Sequence, residues 1–104
     1  VTRALAVHTD ADAEIEEAAV WYEARRVGLG LEFMAAVDRV LHAVAEDAER
    51  FPTWRPPWRR ARMTRFPYVV FFEIEQDRIV VWAVAHTKRR PGYWVARRAP
   101  GDAE

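Results

Sequence analysis

Cysteine is missing from the 104-residue chain, which excludes disulfides and thiolate metal sites and fits a reducing compartment. Lysine occurs once, at Lys88, so the cations are almost all arginine, the better bidentate ligand for phosphate or carboxylate. No phosphate-cradling glycine loop or nucleophile elbow can be read from the 4 glycines. Long apolar runs are absent too: the longest, Ile79 to Ala85, has seven residues, against the roughly 20 needed to span a bilayer. Ala4–Val7 is too short for the apolar region of a signal peptide before His8 and Asp10 intervene. The expectation is a cytoplasmic protein without membrane association. His8 and His42 have no second ligand at metal spacing, and neither metal nor cofactor is expected.

What is present is an ordered composition, 51% hydrophobic and 31% charged, long enough for one domain, residues 1–104, with a modest core. The formal net charge of +0 hides a division. Residues 1–52 hold 5 Arg against 11 Asp and Glu, and residues 53–104 hold 11 Lys and Arg against 5 Asp and Glu. The positive charges gather in two runs, Arg55 to Arg62 and His86 to Arg90. Such asymmetry points to an anionic partner for the basic half.

Arg3–His8 alternates weakly and reads as a first strand. Thr9 or Asp10 is placed to cap a helix over 11–26, where Ile15, Ala18, Ala19 and Tyr22 recur at helical spacing. Gly28 and Gly30 mark its end. A second helix over 30–49 carries the stripe Phe33, Val37, Val40, Leu41 and Val44, and the short link makes an antiparallel helical hairpin. Residues 53–58, around Pro56-Pro57, read as a stiff loop. Three strands follow: 60–66, 68–75 and 78–85, the last two joined by Gln76-Asp77 as a hairpin. The fold class is α+β, a three-stranded antiparallel sheet with the helices on one face. Phe33, Val37, Leu41, Val44, Phe72, Val81 and Ala83 are the expected core. The inner strands are apolar on both faces, so a second cover must come from the chain's tail or from a partner. Residues 95–104 read as a frayed tail. Trp54 and Trp58 flank the prolines and are hard to bury together, which suggests a partner interface for one of them. Glu73 and Glu75 share a strand face with Arg78 across the turn, the pattern of a cross-strand charge pair.

Five strings carry a resemblance: Glu17-Ala-Ala-Val-Trp-Tyr-Glu23, Gly28-Leu-Gly-Leu-Glu-Phe33, Phe51-Pro52, Arg65-Phe-Pro-Tyr68 and His86-Thr-Lys-Arg-Arg-Pro-Gly-Tyr-Trp94. In this order they resemble the RelE/ParE superfamily of bacterial toxins, over about residues 3 to 94. The resemblance implies a toxin of a type II toxin–antitoxin system, held inactive by a cognate antitoxin. Some members cleave mRNA on the ribosome and others poison DNA gyrase. One lysine and no C-terminal His-Tyr pair set this chain apart from the best-known nucleases, and the ending at Trp94 is closer to the ParE-like side.

The two activities make different demands. Cleavage through a 2′-hydroxyl needs a base, cations on the phosphate and an acid for the leaving oxygen. His86, Arg65 and Arg89 are the candidates for that chemistry. Docking on gyrase, or on the antitoxin, needs only a surface, for which Arg60, Arg62, Arg65, Lys88, Arg89, Arg90, Tyr93 and Trp94 are the candidates. Against these stand plainer roles: His86 capping its strand, Trp94 packing the tail on the sheet. Docking is the reading taken, with ribosome-dependent mRNA cleavage as the alternative.

Overall fold

A computed structural model of the chain describes residues 2–98. Strand β1 (Ala4–Val7) leads into helix α1 (Thr9–Arg25), then α2 (Leu29–Glu46), a 3-10 turn (Ala48–Arg50), β2 (Thr53–Arg55), β3 (Trp58–Arg62), β4 (Tyr68–Glu75), β5 (Arg78–His86) and a second 3-10 turn (Val95–Arg97). No described helix is long and apolar enough to cross a membrane.

Local chemistry explains the hairpin. The cap of α1 is His8, whose Nδ1 accepts the amide of Asp10 at 3.1 Å, rather than Thr9 or Asp10. Gly28 turns the chain with φ at 89°, a conformation that favours glycine. The Glu23 carboxylate then accepts the free amides of Gly28 and Gly30 at 3.0 to 3.1 Å, satisfying donors that a helix start leaves open. At Gly30 the two helices nearly touch, since a Cβ there would lie 2.7 Å from the Ala19 carbonyl.

The sheet differs from the expected three strands. It has five, in the order β1-β5-β4-β3-β2, and it is mixed. β1 joins β5 in parallel, Ala4 beside Arg78 and Val7 beside Val81, the connection between them running through both helices and the strands β2 to β4, far longer than the crossover a parallel pair needs. The stretch expected to be a loop contributes β2, antiparallel to β3, and β3 starts at Trp58 and stops at Arg62. Prolines 56 and 57 sit in the turn between β2 and β3, where neither amide donates to a ladder.

The hairpin packs on one face. Phe33, Val37, Val44, Phe72 and Val81 are fully or almost fully buried there. Tyr22, Phe33, Phe66 and Tyr68 form an aromatic cluster with ring centroids 4.9 to 6.3 Å apart. Leu41 is only partly buried, at the rim of a surface cleft, and Ala83 belongs to the opposite face. A bulge explains Ala83: Phe71 pairs with Ala83 but Phe72 with Val81, leaving Trp82 over. The extra residue breaks the alternation, so Trp82 and Ala83 both face away from the helices and Val84 faces them again.

The second face is covered by the chain's own tail. Trp94 is 0% exposed and lies stacked on Phe71, centroids 3.9 Å apart, with Trp54 at 5.1 Å. Trp58 is buried in the same cluster and Trp54 is half-buried against it, so the tail accommodates both tryptophans of the diproline segment, Trp54 keeping part of its surface open. Residues 95–98, expected to fray, are an anchored turn. Positions 99–104 of the expected tail lie outside the described residues.

Candidate functional site

Two acids hold the tail. Glu14, on the inner side of α1, accepts the Val84 amide at 2.9 Å and the Arg97 guanidinium through both oxygens at 3.1 and 2.9 Å. Its carboxylate also accepts the Tyr93 hydroxyl and lies 3.6 Å from Arg89. Glu73, buried in β4, accepts Trp82 Nε1 at 3.1 Å and Arg98 at 2.7 and 2.9 Å. Arg78 pairs instead with Glu75 at 3.0 Å, so the expected cross-turn pair forms with one of the two acids only. Burial, then the hydrogen bond to Glu14 and its negative charge, hold the Tyr93 hydroxyl well above the ordinary phenol range.

A cleft lies on the tail side of the sheet. Arg60 and Arg62 alternate on β3, opposite Phe71 and Val69, and reach the same face. With Trp54, Val69, Phe71, Ala85, His86, Thr87, Arg89 and Pro91 they enclose about 140 Å³. Four of the expected site residues therefore meet: Arg60, Arg62, His86 and Arg89. No carboxylate lines the cleft, and among the described residues neither Arg60 nor Arg62 forms an ion pair. The cleft is thus a concave surface on which Arg60 and Arg62 carry unpaired positive charge, suited to an anionic group, while Arg89 is shared with Glu14.

The other expected residues sit elsewhere. Arg65, proposed beside His86, is in the β3–β4 connection and pairs with Glu32 of α2; it does not line the cleft. Glu32 also holds Arg26 at 3.1 Å, and its carboxyl is lowered by the hydrogen bonds from Arg26 and then Arg65. Lys88 and Arg90 are exposed in the turn after β5. His86 ends β5, with Nδ1 accepting the Lys88 amide at 3.1 Å and its ring edge-on to Tyr68 at 5.2 Å. The Tyr93 ring is partly buried, with the Arg89 guanidinium 3.7 Å above it. Trp94, fully buried, presents no surface to a partner. Among the described residues no group of three His, Cys, Asp or Glu is placed to hold a metal ion.

Glu14, Glu73, Arg97 and Arg98 were not singled out in the sequence as a group. A signal existed. Glu14 falls between Ala11 and Ala18 on the buried stripe of α1, and Glu73 interrupts an apolar strand. Acids in such places require cationic partners, and the Arg97-Arg98 pair was the unassigned supply.

Residues 5–91 match the family model described as the ParE toxin of the type II toxin-antitoxin system parDE. No curated protein matches the sequence. A solved chain described as "Chromosomal ParDE TA system from P. aeruginosa" is similar in fold, with a TM-score of 0.63 at 16% identity, covering 82% of this chain and 96% of that one. The matched span takes in β1 but for its first residue and every element from α1 through β5: the chain belongs to the ParE toxin family of type II toxin–antitoxin systems.

Proposed function

We propose that this toxin, one domain over residues 1–104, inhibits growth by docking on DNA gyrase and is neutralised by a cognate antitoxin. The family match over residues 5–91 carries the reading. The similar solved chain is described as part of a ParDE system, which supports an antitoxin partner. The cleft of Arg60, Arg62, His86 and Arg89 supports an anionic contact, with Lys88 and Arg90 beside it. An acidic segment of the antitoxin approaches this cleft and competes there with the target.

Ribosome-dependent mRNA cleavage is not favoured by the family match. It is also poorly served by a site in which His86 Nδ1 already accepts a backbone amide and Arg65 is turned to Glu32. The deciding experiment runs gyrase supercoiling inhibition beside primer extension of mRNA during induction, for the native chain and His86→Gln. Docking requires inhibited supercoiling that survives the substitution nearly intact. New mRNA ends that disappear with His86→Gln, at the 10²–10⁴-fold loss typical of a missing acid or base, would establish the nuclease instead. Arg62→Glu should weaken the antitoxin complex and reduce its salt sensitivity; a complex unchanged by it would remove the basic cleft from the interface.

A further inference from the structure

The large apolar side chains left exposed among the described residues are Val20 at 70%, Trp21 at 52%, Val27 at 87%, Leu31 at 77% and Met34 at 38%. All five belong to one stretch, the end of α1, the turn and the start of α2. Ala24 and Ala35 are exposed beside them. None of these five side chains lines the basic cleft, although Glu17 and Trp21 border a neighbouring groove that also takes in His86 and Arg89. A clustered apolar surface of this kind on a folded chain marks a contact site.

We propose that a second copy of this chain docks here, α1 packing antiparallel against α1 about a two-fold axis near Trp21. An isologous interface must be complementary to itself, and the charges of α1 meet that condition. Glu17 precedes Trp21 by four residues and Arg25 follows it by four, so both flank it on the same helix face. An antiparallel crossing centred on Trp21 sets Glu17 against Arg25 of the second copy, a pair that occurs twice. Within one helix these partners cannot meet, since eight residues span about 12 Å. Among the described residues neither Glu17 nor Arg25 forms an ion pair. Arg25 lies over the Trp21 ring at 3.5 Å, at the centre of the proposed contact. Val20, Val27 and Leu31 supply the apolar surface that the crossing covers.

Sedimentation velocity on the full chain alone, from micromolar to about millimolar concentration, tests the proposal. The weight-average mass should rise from one chain towards two. Glu17→Arg and Arg25→Glu should each weaken association about tenfold, because every substitution acts twice across the axis. The combined Glu17→Arg/Arg25→Glu chain should associate as the native one does. All these positions are exposed, and circular dichroism checks that the fold is kept. A mass of one chain throughout the range overturns the proposal, as does a double variant no better than the singles. So does amide protection of residues 20–34 that arises only when the antitoxin is added, which would assign the surface to that partner.

Discussion

Replacing Glu14 with alanine should unfasten the tail and cost about 3 kcal/mol. The Glu14 side chain is 11% exposed and that of Arg97 16%, so the pair is largely withdrawn from water. Removing one member of a buried pair typically costs about 3–5 kcal/mol, since the other charge is left without its counterion. Arg97 keeps the Trp82 carbonyl at 2.9 Å and Asp10 at 3.6 Å, which argues for the lower end. The Val84 amide and the Tyr93 hydroxyl also lose their acceptor. Glu14→Gln restores an acceptor without the charge and should cost about 1.5–2 kcal/mol. Such losses are large against a total stability of about 5–15 kcal/mol, and with a urea slope of about 1–3 kcal/mol per molar they move the midpoint by roughly 0.5–3 M. A double-mutant cycle with Arg97→Met isolates the pair, with an expected coupling above about 1 kcal/mol. Additive effects, or an alanine variant within about 1 kcal/mol of the native chain, would refute that Glu14 holds the tail.

Trp94→Ala should cost about 3–5 kcal/mol by emptying the stack on Phe71; a loss under about 1 kcal/mol in urea unfolding would show that the tail does not close the second core. Leu41→Ala, at a half-exposed rim, should cost about 1–2 kcal/mol and Phe33→Ala, wholly buried, about 3–5; equal costs would mean that the helical stripe is wrongly oriented. Stability should be full below pH ~10, the unfolded phenol value, and fall as pH rises above it. The unfolded chain then releases the Tyr93 proton first while the folded state holds it. Unfolding midpoints at successive pH values should show a shallower alkaline decline in Tyr93→Phe, the remainder coming from Tyr22 and Tyr68, whose hydroxyls are also raised by burial. An identical decline in both chains would mean that Tyr93 is not the titrating group.

The helical hairpin was legible in the residues because periodicity is a local property. Ile15, Ala18 and Tyr22 on α1, and Phe33, Val37 and Val44 on α2, repeat at the helical period, and only one face of each helix can bury them. The strands β4 and β5 were legible for the same reason, as was the placement of Arg60 and Arg62 on one face of β3. The charge division located the basic cleft in the right half of the chain. What sequence could not supply were relations between distant positions. The parallel pairing of β1 with β5, the addition of β2 at the other edge and the bulge at Trp82 depend on hydrogen bonds between segments, to which local pattern is blind. Which cations remain unpaired was also decided in three dimensions: Arg65 went to Glu32, Arg97 to Glu14 and Arg98 to Glu73, leaving Arg60 and Arg62 to the cleft. The tail shows the difference most plainly. Its sequence is short and polar enough to read as fraying, yet Trp94 and two buried carboxylates fix it, because an apolar sheet face must be covered and a buried acid must find its cation.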